Sequence, residues 1–377
     1  MKTLTNTTIY LLAGAVLALA GSLSGVAQST DEPVTYVSDP GAGSVTVNGS
    51  SSLHDWSVDS QTIEGSVVFK AETPSSLVEN NKLTFDLDQA GVEIPVKSLS
   101  GEKDGLNQKM YKAMEAETYP DITYELDNVA LDRRPAQNKV RLQSEGTLTI
   151  HGTSRTLNMP MEVTRNGSRL VAEGETDLKM TDFDIEQPTA LGGLVTAYDN
   201  VTVTWTWPVV RQYTPQYQAG SIMRETTSVF IERYDSARSA LADGQLDRAK
   251  RSLEQVARGV DRVKLSYTDL NERQQSEAQP LLDQLKTSVD QAKQAENLES
   301  LRKQFKAVSL SLKNVVAAFG HEREEPVRWI QCAAEPDTDH RWIGTSSDAG
   351  CPYLSEDQRE EPAGFTIGLM SGSPSEK

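Results

Sequence analysis

From residue 45 onward the chain keeps a two-residue rhythm of apolar and polar positions. Val45 and Val47 alternate with Thr46 and Asn48, Ile63, Val67 and Phe69 share one parity, and Leu83, Phe85 and Leu87 alternate with Thr84 and Asp86. Val92, Ile94 and Val96 continue the pattern, as do Ile122, Tyr124 and Leu126, then Leu148 and Ile150, then Met159 and Met161. The clearest stretch is 201–207, Val-Thr-Val-Thr-Trp-Thr-Trp, apolar at every odd position. Successive side chains of a strand point to opposite faces, so each segment has one greasy face and one wet face. A series of such strands with turn residues between them predicts an antiparallel barrel or sandwich. Its greasy faces enclose an interior that is either filled by side chains or open to a ligand.

One stretch breaks the rhythm. Leu106 to Glu117, carrying Met110 and Met114, reads as a short helix between strands, ended at Tyr119-Pro120 because the residue before proline avoids the helical region. After Arg211 the period lengthens to about 3.6. A helix is expected over 221–242, closed by Asp243-Gly244, and a second from the stripe Leu246, Ala249, Leu253, Val256, Val260 and Val263. A third is expected from Leu281 to Ala295, and a fourth is capped by Asn297 and stopped by Gly320. The pattern therefore predicts an all-β unit followed by an all-α one: a barrel over 43–210 and a four-helix bundle over 215–325. Residues 28–42 read as a flexible leader, and 326–377 as an irregular tail.

Length and composition refine this picture. The 377 residues suffice for two domains. Lys2, an apolar stretch from Ile9 to Ala20 and small residues ending Gly25-Val26-Ala27 follow the order of a cleavable signal peptide, so 1–27 are expected to be removed on export. The mature protein is then periplasmic or secreted, with no stable membrane insertion. Net charge is -17, and residues 34–210 hold 26 acidic against 14 basic residues while 211–325 hold 17 against 18. Such an acidic surface argues against nucleic acid as a partner. The two cysteines, Cys332 and Cys351, favour a disulfide over a metal site in an oxidising compartment.

Several motifs together resemble a known family. Ser51-Ser52-Leu53-His54-Asp55-Trp56, Ile63-Glu64-Gly65-Ser66-Val67-Val68-Phe69, Pro95-Val96-Lys97-Ser98-Leu99, the methionine-bearing helix, Tyr119-Pro120-Asp121-Ile122 and Gly146 through Arg155 stand in the order of the YceI-like family of exported proteins. The resemblance covers about residues 40–210. It implies an eight-stranded antiparallel lipocalin-like barrel whose elongated apolar cavity holds a polyisoprenoid or similar amphiphile. Further on, Leu301-Arg302, Phe305, Val308-Ser309, Leu312 and Phe319-Gly320 resemble the last helix of a helical domain of unknown function that accompanies periplasmic copper and silver efflux adaptors. That family continues with a Cys-Pro-Met motif. Here Cys332 is followed by Ala333-Ala334, and Cys351-Pro352-Tyr353 and Met370-Ser371-Gly372 match its sequel only in part.

The candidate chemistry is accordingly that of a binding protein and not an enzyme. No Gly-x-Ser-x-Gly, His-Glu-x-x-His or phosphate-loop pattern is present to assemble a nucleophile and base. Trp56, Phe69, Phe85, Met110, Met114, Tyr124, Ile150 and Trp205 are the expected interior residues, with His54 and His151 at the rim or near a ligand head. Adjacent strand residues face opposite ways, so His54 and Asp55 make no dyad. The expected ligand is lipid- or isoprenoid-like, no cofactor is expected, and the helical unit is expected to dock an envelope protein. The alternative is a metal-handling or efflux-accessory role using Cys332, His340, Cys351 and Met370.

Overall fold

The computed structural model describes residues 33–71, 77–80, 82–336, 338–346, 350–355, 358 and 363–372. The expected signal segment 1–27 lies outside the described residues. The chain opens with β1 (Val34–Ser38), a turn, β2 (Ser44–Ser51), β3 (Asp55–Ser60) and β4 (Glu64–Phe69). A small hairpin of β5 (Val78–Glu79) and β6 (Lys82–Leu83) precedes β7 (Leu87–Pro95) and the helix α1 (Asp104–Ala113). Four long strands follow, β8 (Asp121–Ala136), β9 (Lys139–Ile150), β10 (Thr153–Asn166) and β11 (Arg169–Lys179), then the short β12 (Thr189–Ala190) and the 19-residue β13 (Val195–Tyr213).

Eight of these strands close on themselves. The order is β1-β4-β7-β8-β9-β10-β11-β13, and β13 returns to β1 through Tyr36↔Arg211, Val37↔Val210 and Ser38↔Val209. Each of these eight strands is paired on both sides. β2 extends the β1 edge along the lower-numbered half of β13 and pairs with β3, so the two kinked pairs β1–β2 and β3–β4 each act as one bent strand. The leader expected to be flexible over 28–42 is thus partly a wall strand. Val34 and Tyr36 alternate with Thr35 and Val37, and Tyr36 is fully buried. Its five-residue pattern sits between Pro33 and Asp39-Pro40, which reads as loop composition without the partner strands.

The helical half follows as α2 (Ser221–Ala242), α3 (Leu246–Val260), α4 (Glu272–Lys293) and α5 (Leu298–Phe319), with a one-turn helix at Leu265–Tyr267. Asn297 caps α5 by accepting from the Ser300 N–H, as its position predicts. α4 starts nine residues before the expected Leu281. Asn271 and Gln274 form a reciprocal capping box there, and Pro280 lies inside the helix on its exposed face. Proline removes one backbone bond, yet the cap and the apolar row Ala278, Leu282, Leu285 and Val289 carry the helix through it.

The tail is not irregular. It forms β14 (Val327–Cys332), β15 (Arg341–Gly344) and β16 (Gly364–Met370), which pair as β15-β14-β16. β16 also lies parallel to the end of β13, Arg211↔Gly368 through Tyr213↔Met370. These strands are almost wholly buried in the core they share with the helices, on both faces, so the apolar–polar alternation that marks a one-sided strand is missing from them. Tyr234 stacks on Phe305 at 5.0 Å, and its hydroxyl shares a hydrogen bond with Ser309 Oγ (2.7 Å), which pairs with the Tyr353 hydroxyl at 2.9 Å. Burial raises the Tyr234 hydroxyl well above the usual phenol range.

The two halves keep separate cores but share a polar joint. Asp39, buried in the turn after β1, accepts from Arg169 of β11 at 2.7 Å and from Arg328 of β14 at 2.6 Å. Arg169 also donates to Thr366 O, and Ser168 Oγ to Ile367 O. The helical half is therefore fastened at the barrel end formed by the β10–β11 turn, and among the described residues it leaves the opposite end clear.

Candidate functional site

The barrel is hollow. A cavity of about 570 Å³ runs inside it. At the end nearest the helical half, Leu77, Val78, Phe69 and Phe85 close the lumen, with Phe69 and Phe85 in edge-to-face contact at 5.5 Å. At the other end the β2–β3 turn, α1 and the segment around Pro188, Thr189 and Val195 surround a mouth. α1 has no fully buried residue, yet Leu106, Met110, Ala113 and Met114 line the cavity. It is tied down by Tyr111, whose hydroxyl donates to Leu99 O at 2.7 Å, and by Asn107, which bonds both the N–H and the carbonyl of Gly101.

The wall is aliphatic and aromatic along its length: Val45, Val92, Ile94, Leu126, Leu142, Leu148, Leu170, Val203 and Val209 alternate inward. One polar rung crosses it, where the Tyr124 hydroxyl lies 3.3 Å from Ser144 Oγ, which donates to Met159 O at 2.9 Å. Burial raises the Tyr124 hydroxyl above its ordinary value, so it is a neutral donor and acceptor at physiological pH.

Glycines keep this lumen open. Gly174 of β11 stands directly opposite Trp205 of β13, and a Cβ at Gly174 would come within 2.6 Å of the indole. Gly49 stands opposite Trp56, where the same atom would come within 2.2 Å, and Gly146 lies under the Tyr124 ring at 2.4 Å. With no side chain beneath them, the rings lie flat on the wall. Larger residues there would tilt them inward and fill the barrel, which eight strands can otherwise just enclose.

All eight expected interior residues, Trp56, Phe69, Phe85, Met110, Met114, Tyr124, Ile150 and Trp205, line this cavity. His54 stands at its mouth, where Nδ1 donates to Asp55 O at 3.0 Å. His151 does not reach the cavity. It and Gly152 both have positive φ (53° and 72°) and form the two-residue turn between β9 and β10. Its Nδ1 donates to Phe183 O at 3.2 Å and its ring meets Tyr119 edge-on, so this residue braces a turn. Sequence reasoning missed Ser144, Ala172 and the mouth lysines Lys103, Lys109 and Lys179. The parity of β9 and β11 marks the first two, whereas the glycine–aromatic pairs depend on cross-strand register and leave no local signal.

The C-terminal candidates resolve differently. The expected disulfide is not closed: Cys332 and Cys351 are both buried free thiols. A hydrogen bond from Cys351 lowers the Cys332 thiol and raises that of Cys351. The alternative metal set is not assembled either. His340 stacks on Tyr353 and pairs with Glu335, Met370 is core, and among the described residues no three His, Cys, Asp or Glu side chains come together as a metal site. Among the described residues no helix is long and apolar enough to cross a membrane.

Residues 36–207 match the YceI-like domain, and residues 230–324 match a protein of unknown function, DUF3347. Similar solved structures include BcnA of Burkholderia cenocepacia, 20% identical over 45% of this chain and 98% of that one, with a TM-score of 0.35. A polyisoprenoid binding domain from Saccharophagus degradans implicated in plant cell wall breakdown is 15% identical over 46% and 97%, with a TM-score of 0.34. The Campylobacter jejuni YceI protein is 17% identical over 41% and 83%, with a TM-score of 0.31. No curated protein matches this chain.

Proposed function

We propose that this chain, whose residues 36–207 match the YceI-like domain, is an exported, non-enzymatic carrier that holds the chain of a lipid- or isoprenoid-like molecule inside the barrel. The observation that carries the reading is the open-ended cavity of about 570 Å³ with its apolar lining, within the size range of small-molecule sites. At about 30 Å³ for each methylene-sized group, close to the share of a water, it has room for at least roughly 20 of them. Each buried methylene contributes about 0.8 kcal/mol, so a dozen supply roughly 10 kcal/mol against the cost of immobilising the ligand. No nucleophile or assembled acid–base pair is needed for this. Sulfur-bearing Met110 on α1 and Met114 at its C-cap give an adaptable wall at the entrance.

In this reading the helical half is a docking or spacing unit. It is attached at the closed end of the barrel, so it holds the mouth away from itself and keeps the entrance free for loading from an envelope partner or membrane. The test is titration of the full chain with geranylgeraniol, followed by tryptophan fluorescence. Trp56, Trp205 and Trp207 line the cavity, so saturable quenching at one ligand per chain is expected. Ala172→Phe, which fills the lumen from β11, is expected to weaken binding at least tenfold; equal affinity in this variant would reject the cavity as the binding site.

A further inference from the structure

The cavity wall carries one sign of charge, against the composition of the barrel. Residues 34–210 hold 26 acidic against 14 basic residues. Among the described residues, no aspartate or glutamate lines the cavity, whereas Lys103, Lys109 and Lys179 do. All three stand at the mouth: Lys103 just before α1, Lys109 on it, and Lys179 at the end of β11. Glu102, Asp104 and Asp177, their close neighbours in sequence, stay off the wall. None of the three lysines pairs with a carboxylate among the described residues. Asp199 is bonded to the N–H and hydroxyl of Thr181 and interacts with Lys179 only through space.

A rim of lysines can serve merely to wet an apolar entrance, with stems on the wall and ammonium groups in water. That role does not require excluding carboxylates from the same rim, and the acidic composition would have supplied them. We infer that the ligand is a single-chain amphiphile with an anionic head, a carboxylate or a phosphate, whose tail points to the closed end. Lys103, Lys109 and Lys179 hold the head at the mouth. The inference rests on the carrier reading above. A charged head cannot sink into the lumen, where it would lose its water without a partner. The lysine ammonium is a mobile point charge, suited to either anion.

The test uses the full chain and four probes with one common tail: hexadecanoate, hexadecyl phosphate, hexadecanol and hexadecylamine. Tryptophan fluorescence reports binding. The two anions are expected to bind about tenfold tighter than the alcohol, as three exposed charge contacts together would give, and the amine weakest. The ratio between the two anions shows which head the mouth prefers. In the triple variant K103Q/K109Q/K179Q, and in 1 M salt, the anions should bind no better than the alcohol. Equal binding of alcohol and anions, or an anion preference that survives the triple variant, would overturn the inference while leaving the carrier reading intact. Failure of all four probes, and of geranylgeraniol, to bind would end both.

Discussion

The joint at Asp39 offers a test whose size follows from burial. Its side chain is 4% exposed and those of Arg169 and Arg328 are 13% each, so the three charges interact with little screening by solvent. Each guanidinium delivers one short charge-assisted hydrogen bond, and Arg328 also donates to Thr366 Oγ1 at 3.2 Å. Asp39→Ala leaves two cations buried without their anion. Breaking a buried pair in this way costs about 3–5 kcal/mol, a large share of the ~5–15 kcal/mol that holds most domains folded. Replacing the whole cluster, as Asp39→Leu with Arg169→Met and Arg328→Met, is expected to be nearly neutral, because the desolvation penalty disappears with the attraction. Urea denaturation of the three single variants and of the triple gives the coupling energies directly. In Asp39→Ala the transition should also broaden, as the helical half loses its charged tie to the barrel and keeps only the β13–β16 pairing and the Ser168 and Arg169 bonds to β16. A cost below about 1 kcal/mol, or a triple variant as unstable as the sum of the singles, would refute this reasoning.

Three further outcomes follow from other sites. Gly174→Ala should cost about 1–3 kcal/mol by overpacking and should push Trp205 into the lumen, read as a shifted emission maximum and weaker binding of long chains. His321 is held neutral by burial, with Nε2–H donating to Met370 O at 2.9 Å and Nδ1 accepting from the Arg323 N–H at 3.1 Å. Its folded value lies below its unfolded one, so the unfolded chain binds the proton first. Stability should therefore fall as pH drops below about 6.5, by at most ~1.4 kcal/mol per unit, and His321→Gln should flatten that part of the denaturation profile. Asn271→Ala removes the capping box of α4 and should cost about 1 kcal/mol by thermal or urea unfolding.

Much of the fold was legible because burial on one face imprints a period. The alternation at 201–207 predicts a strand, and β13 spans 195–213 with Trp205 facing the lumen. The helix expected over roughly 221–242 is α2, fixed by its apolar row and by Asp243-Gly244. Where a segment is buried on both faces the imprint vanishes. β14 and β16 carry no alternation, so the tail reads as irregular although it forms a sheet. The third helix is expected only from Leu281, where its apolar row becomes dense, because its true start, the Asn271 capping box, lies on a polar stretch ahead of it. The interior residues were accessible through parity. What keeps the interior empty was not: Gly49, Gly146 and Gly174 gain their meaning only from the aromatic ring across the register. The same holds for the lysines of the mouth, which α1 with its N-cap and the end of β11 bring to one rim.

The central claim is that the barrel carries a lipid-like chain. Its most direct test is mass spectrometry of an organic extract from the full-length protein, expressed with its N-terminal segment and purified without detergent. The account predicts one amphiphile at close to one per chain, absent from extracts of Ala172→Phe. An extract without any such species, from a protein that also fails to take up a long-chain probe, would contradict it.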